Sequence, residues 1–219
     1  MGVTNKELNA AYATIANGGT YYKPTLYTKV VDHDGKVILD NTKPESHRVI
    51  KETTAFLLTD AMEDVVTSGT GGSVNFGNMA IAGKTGTTSD YNDVWFAGYT
   101  PYYTATTWAG YDNNAKLSGS AEKNLAKILW RAVMSKIHEE LPNQSFNRPA
   151  GIVSATVCSQ SGRLPVSGLC DGSVKSEYFA EGTVPSESCD VHYSGMVCAY
   201  SMKPAADNCP FSMAGTLTL

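Results

Sequence analysis

Nowhere does the sequence hold the roughly 18 consecutive apolar residues that a membrane-spanning helix needs. Its first residues, Gly2-Val3-Thr4-Asn5, do not form a secretory leader. Any targeting or anchoring element is therefore expected outside these 219 residues. Lys and Arg are not clustered, and the formal net charge is -4, so the basic stripe that would attract nucleic acid is missing. No two cysteines have Cys-x-x-Cys spacing, and His33, His47, His138 and His192 are scattered singly. That pattern leads us to expect no metal and no cofactor, and it supplies no Ser-His-Asp triad.

All five cysteines, Cys158, Cys170, Cys189, Cys198 and Cys209, fall in the last third of the chain. Such clustering favours disulfides in an oxidising compartment over a zinc site, and the odd count leaves one thiol over. Cys158 and Cys170 bracket a short turn-rich loop, and Cys198 with Cys209 offers a second closure, but the pairing stays open among all five. Composition is otherwise that of a globular chain with enough apolar residues for one core and a small appendage.

Read in order, Thr4 and Glu7 form a capping box. Leu8, Ala11, Tyr12 and Ile15 then repeat at helical spacing until Gly18-Gly19 stops them. Residues 25–31 and 36–39 flank His33-Asp34-Gly35 as a surface hairpin. A second helix is predicted from about Thr53 to Thr67, burying Ala55, Leu58, Met62 and Val65, and closed by Ser68-Gly-Thr-Gly-Gly72. Those glycines close a helix and lead into a strand, whereas a phosphate-cradling loop opens a helix. Three consecutive strands, 79–87, 92–100 and 103–111, have short connections and imply an antiparallel sheet, with Trp95 in its core.

Ser120 is the expected N-cap of a long helix with Leu125, Ile128, Leu129, Ala132, Val133 and Ile137 on its inner stripe. Beyond Pro149 the texture turns to Ser, Gly, Pro and Cys, which places a boundary between residues 1–148 and a disulfide-stapled appendage at 149–219. The fold class expected is α+β, an antiparallel sheet with covering helices and a small Cys-bearing C-terminal appendage.

The first of the three strands ends in Lys84-Thr85-Gly86-Thr87-Thr88. A cation, several hydroxyls and a glycine on a strand edge offer a point charge, donors and an unobstructed backbone to a carboxylate or acyl group.

With its surroundings this stretch resembles the transpeptidase domain of class A penicillin-binding proteins. The matching pieces are Ala10-Ala-Tyr-Ala-Thr-Ile-Ala-Asn-Gly-Gly19, Arg48-Val-Ile50, Ser68-Gly-Thr-Gly71, Ala82-Gly-Lys-Thr-Gly-Thr-Thr88 and Asp93-Val-Trp-Phe-Ala-Gly-Tyr-Thr-Pro101. They stand in the family's order across residues 2 to about 137, and the tail, in Val157–Cys170 and Glu177–Pro185, is a looser match. The resemblance implies a penicillin-binding-protein and serine β-lactamase-like fold, incomplete on its N-terminal side.

Enzymes of this family use a Ser-x-x-Lys that bears the nucleophile, a Ser-x-Asn and the Lys-Thr-Gly strand. Here neither of the first two occupies its place before the strand, and both are expected upstream of Gly2. Ser120-Ala-Glu-Lys123 has the spacing but follows the strand, while Ser73-Val-Asn75 and Ser145-Phe-Asn147 sit in a loop and a linker. We read all three as decoys.

By resemblance, Lys84 and Thr87 are the catalytic candidates. Lys84 would stand beside the upstream serines, and the Thr87 amide would supply half of an oxyanion hole. Thr85, Gly86, Thr87 and Thr88 would bind substrate, with Ser89 and Tyr91 on the acceptor side of the cleft. The implied activity of the full protein is D,D-transpeptidation of peptidoglycan stem peptides through an acyl-serine, with β-lactams as trapping ligands. The implied place is the outer face of the bacterial membrane, with the anchor and the upstream half of the domain as partners. This chain alone is expected to be inactive. A D,D-carboxypeptidase or serine β-lactamase relative, or a non-catalytic extracytoplasmic binding module, are the alternatives.

Overall fold

A computed structural model of the chain describes residues 2–218. The chain divides into one unit ending at Ala150 and another beginning at Gly151. In the first, helix α1 (Asn5–Ala16) starts where Thr4 and Glu7 cap each other's backbone amides. Gly18 and Gly19, both with left-handed backbone, turn the chain out of it. Gly19 has a second reason to be glycine, since a Cβ there would lie 2.2 Å from the Ile50 carbonyl oxygen. The short strand β1 (Thr20–Tyr22) pairs antiparallel with β4 (Ser46–Arg48). Between them β2 (Lys29–Val31) and β3 (Val37–Asp40) form the expected exposed hairpin.

Helix α2 (Glu52–Thr67) buries Ala55, Thr59, Met62 and Val66. Leu58, expected inside, is 42 % exposed. The predicted first strand is shorter than the pattern suggested: β5 runs Ala82–Thr87, and it pairs with β6 (Asp93–Tyr99), which pairs with β7 (Thr104–Gly110). Order and antiparallel sense are as expected. Helix α3 (Ser120–Ile137) crosses one face of this sheet.

Two features of α3 differ from expectation. The cap is Gly119 instead of Ser120, and Glu122 accepts the amides of Ser118 and Gly119 at 2.8 Å each. The buried stripe is Ala126, Trp130 and Met134, whereas Leu125, Ile128, Leu129, Val133 and Ile137 are all at least 39 % exposed. Both stripes are apolar, and only the sheet decides which one faces inward.

Trp130 is fully buried against Phe96, with ring centroids 5.1 Å apart at 72°, and donates from Nε1 to the Ala105 carbonyl at 3.0 Å. Val66, Val74, Val94 and Leu117 complete that core. On the other face Tyr99, Met62 and Ala82 pack with Tyr12 and Ile15 of α1. His138 is also buried, bonded to the Thr100 hydroxyl at 2.8 Å and the Met134 carbonyl at 2.6 Å, a structural role at the end of α3.

The second unit is all β. Strand β8 (Ile152–Cys158) pairs antiparallel with β9 (Val174–Ala180), and β10 (His192–Cys198) is flanked by β11 (Lys203–Pro204) and β12 (Ser212–Thr218). The expected disulfides are absent, since all five cysteines are free thiols. Cys198 and Cys209 touch, while Cys158, Cys170 and Cys189 converge on the His192 ring. Three sulfurs meeting at one imidazole is not a paired geometry, which corrects the reading of this unit as disulfide-stapled.

Two measurements test this packing. Trp130→Ala is expected to cost about 3–5 kcal/mol of unfolding free energy, read from denaturant curves. Glu63 on α2 is half-buried beside Asp60 and Asp64, and burial first, then those two charges, pushes its carboxyl up to about 7. The folded state therefore holds that proton to higher pH than the unfolded state, so stability falls as pH rises toward 7. Glu63→Gln is expected to be more stable than the parent above pH 7 and equal to it in acid below the ordinary glutamate range, in urea midpoints taken across that span.

Candidate active site

The pleat of β5 divides its residues between two faces. Thr85 and Thr87 stand on the α3 side with Gly83, and Lys84 and Gly86 on the side of α1. Among the described residues no strand pairs with the outer edge of β5, which leaves a free edge along Lys84-Thr85-Gly86-Thr87.

Glycines set how closely β5 and β6 lie together. A Cβ on Gly83 would come within 2.6 Å of the Phe96 ring, and one on Gly98, its partner across the ladder, within 2.8 Å. At Gly86 the tight neighbour is Trp95, whose Cβ would be 3.1 Å away. Trp95 is half-buried and tilted against the exposed Trp108, 6.4 Å between centroids, so it lies at the margin of the core.

The glycine-rich loop after α2 also reaches the strand. Its Gly71 amide donates to the Val65 carbonyl at 2.8 Å and closes the helix. Thr70, between two glycines, is thereby presented to β5, where its hydroxyl bonds the Thr85 hydroxyl at 2.9 Å. From α3, Lys127 donates to the Thr70 carbonyl at 3.2 Å, and the Lys123 amine sits 4.6 Å above the Tyr91 ring. Together Thr70, Thr85, Gly86, Thr87, Tyr91, Lys123 and Lys127 line a cavity of about 290 Å³. A cleft lined by two lysines, three threonines and a tyrosine is suited to an anionic ligand such as a carboxylate.

Lys84 lies outside that cavity. Its side chain is exposed and curls along the strand edge, donating to the Thr85 carbonyl at 3.0 Å. Thr88 belongs to the following turn, where its hydroxyl oxygen accepts the amides of Asn92 and Asp93, each at 2.9 Å. Tyr91 holds a positive φ in that turn. Of the serines with suggestive spacing, Ser120 is the first residue of α3 and its neighbour Lys123 is turned to Tyr91. Ser73 and Ser145 line no part of the cavity.

Sequence reasoning missed Thr70, Lys123 and Lys127 as lining residues. The first stood in the sequence as part of a helix stop and of a family-matching piece, with no place at the strand assigned to it, and the lysines sit on a helix whose inner stripe was misassigned. Glu122, which caps that helix, is held below the usual carboxylate range by the Tyr111 hydroxyl and then by the Gly119 and Ser118 amides. Among the described residues, the group of three cysteines and a histidine placed to hold a metal is in the second unit, away from this strand in sequence.

Known proteins resemble this chain in sequence and in fold. Residues 1–135 match the family described as penicillin binding protein transpeptidase domain, and residues 148–194 match penicillin-binding protein 1A, C-terminal domain. Penicillin-binding protein 1A of Clostridium tetani is 39 % identical over 198 residues, which are 87 % of this chain and 25 % of that protein. The chain thus spans about a quarter of the length of the curated relatives it matches. The crystal structure of penicillin-binding protein 1A from Haemophilus influenzae superposes with a TM-score of 0.73 at 24 % identity, over 85 % of this chain and 33 % of that one, a likeness of fold. The PonA1 protein from Mycobacterium tuberculosis, solved in complex with penicillin V, has a TM-score of 0.59 at 28 % identity over 67 % of this chain and 41 % of that chain. With its free-edged Lys-Thr-Gly strand and a family match over more than half its length, the chain belongs to the penicillin-binding protein transpeptidase family.

Proposed function

We propose that this chain is the substrate-aligning part of a peptidoglycan D,D-transpeptidase that works through an acyl-serine. The observation that carries the reading is the free edge of β5, with hydroxyls of Thr85 and Thr87 beside it and a lysine-lined cavity behind. An extended D-alanyl-D-alanine stem peptide would lie along that edge by backbone pairing. Its terminal carboxylate, or that of a β-lactam, would take the Thr85 and Thr87 hydroxyls. Gly86 keeps the strand flat against Trp95, and Thr88 holds the turn that ends the strand. The Thr87 amide would be half of the oxyanion hole. The likeness to a protein solved with penicillin V supports the β-lactam side of this reading.

The nucleophilic serine, its activating lysine and the Ser-x-Asn would come from an upstream part of the same domain, because no Ser-x-x-Lys precedes the strand here. The apolar stripe Leu125, Ile128, Leu129 and Val133, exposed on α3, supports a covering partner of that kind. In the intact protein the site would act on the outer face of the membrane, with the anchor on that upstream part. Lys84, already at the strand edge, would then meet the serines and position their protons and the substrate carboxylate.

Incubation with a fluorescent penicillin tests the assignment. The 219-residue chain alone is expected to show no covalent adduct, and joining it to an upstream segment that bears Ser-x-x-Lys should restore labelling. In the joined protein Lys84→Ala should slow labelling by about 10²–10⁴-fold, the usual contribution of a positioned proton-transfer group. Ser120→Ala should not change it. Labelling of the isolated chain that vanishes in Ser120→Ala would refute the proposal, and no labelling of the joined protein would favour a binding module.

A further inference from the structure

The second unit gathers four donors of metal-binding type that the transpeptidase reading leaves unused. Cys158 ends β8, Cys170 closes the turn-rich loop after it, Cys189 follows the bridge between Leu164 and Ser188, and His192 opens β10. Their three sulfurs and the His192 Nδ1 all lie within 4.8 Å of one another. Nδ1 is 3.5 Å from the Cys158 sulfur and 3.3 Å from those of Cys170 and Cys189. Tetrahedral zinc, bonded at about 2.3 Å to sulfur and about 2.0–2.1 Å to nitrogen, spaces the two atom types about 3.5 Å apart.

The cysteines are 0 %, 1 % and 8 % exposed, and with Val166 and Val191 they are the core of this region. Buried thiols in mutual contact satisfy one another poorly as hydrogen-bonding groups. A disulfide would pull two of the sulfurs to about 2.05 Å and leave the third against the imidazole.

Backbone amides are aimed at the sulfurs instead. Val166 donates to Cys170 Sγ at 3.3 Å, Gln160 and Ser161 face Cys158, and Val191 and His192 face Cys189. Amides so placed favour thiolate and orient it, as the outer shell of a metal site does. Arg163 fixes the Cys189-Asp-Val-His192 turn from outside, pairing with Glu187 at 3.1 Å and Asp190 at 3.0 Å.

We propose that Cys158, Cys170, Cys189 and His192 bind one zinc ion as a closed, structural site that ties the β8–β9 hairpin to the start of β10. Each thiol releases its proton to solvent as zinc binds, and no bond is oxidised. Sulfur and imidazole donors exclude calcium and magnesium, which take oxygen. Four protein ligands leave no open position, so the ion does no chemistry on a substrate. Its binding energy is folding energy for this unit.

The test uses the 219-residue chain purified under reducing conditions from zinc-supplemented medium. Elemental analysis is expected to find about one zinc per chain after gel filtration. Cys209→Ser, outside the cluster, should retain it, and Cys170→Ser and His192→Ala should lose it. Because those two variants could lose metal by failing to fold, the parent is also stripped with chelator and titrated with cobalt(II). The ligand-field bands of tetrahedral cobalt bound to thiolate should appear and then bleach on addition of zinc. Overturning results would be a metal-free folded chain whose thiols all react freely, a disulfide joining any two of the three cluster cysteines, or iron or copper in place of zinc.

Discussion

The first unit depends on one aromatic ring. Phe96 lies across the glycine pair Gly83 and Gly98 on its own sheet and meets Trp130 of α3 edge to face. Strand spacing, the seating of the helix and the depth of the cavity beside β5 all follow from that contact. A side chain at either glycine would lift the ring, and α3 would carry Lys123 and Lys127 away from Thr70 and Thr85. The polar residues that line the cavity are thus aligned by an apolar contact that takes no part in it.

Much of this was written in local pattern. Thr4 and Glu7 announced α1, and β-branched and aromatic runs announced β6 and β7 with their antiparallel order. Such features rest on contacts between near neighbours, which is why a single sequence shows them. The inner face of α3 was not legible, because Leu125, Ile128 and Leu129 form as good a stripe as Ala126, Trp130 and Met134. Periodicity says that a helix is amphipathic and names the inner side only when the other side is polar. Here both are apolar, and the sheet chose the stripe that carries the large ring.

The site divides in the same way. Lys84 through Thr87 could be found as a motif on a strand, and their free edge follows from the strand's place in the order. Thr70 could not be found, since its meeting with Thr85 spans a helix end and a loop. The cysteines failed for a related reason: counting them suggested pairs, whereas the fold brings three together on a histidine. The Cys189-x-x-His192 spacing was the available hint, and it gains meaning only once Cys158 and Cys170 are seen across the hairpin.

The free edge of β5 has a cost for the molecule that owns it. An edge that can accept an extended backbone can equally accept the same edge of another copy, the first step toward sheet-like aggregates. Lys84 stands at the start of that edge, its side chain exposed. A second copy brought to that edge would add another ammonium group to the same small sheet, a like-charge contact that disfavours the pairing. An exposed lysine is the kind of residue that guards an edge strand against pairing with its own copies, and on β5 that residue is Lys84.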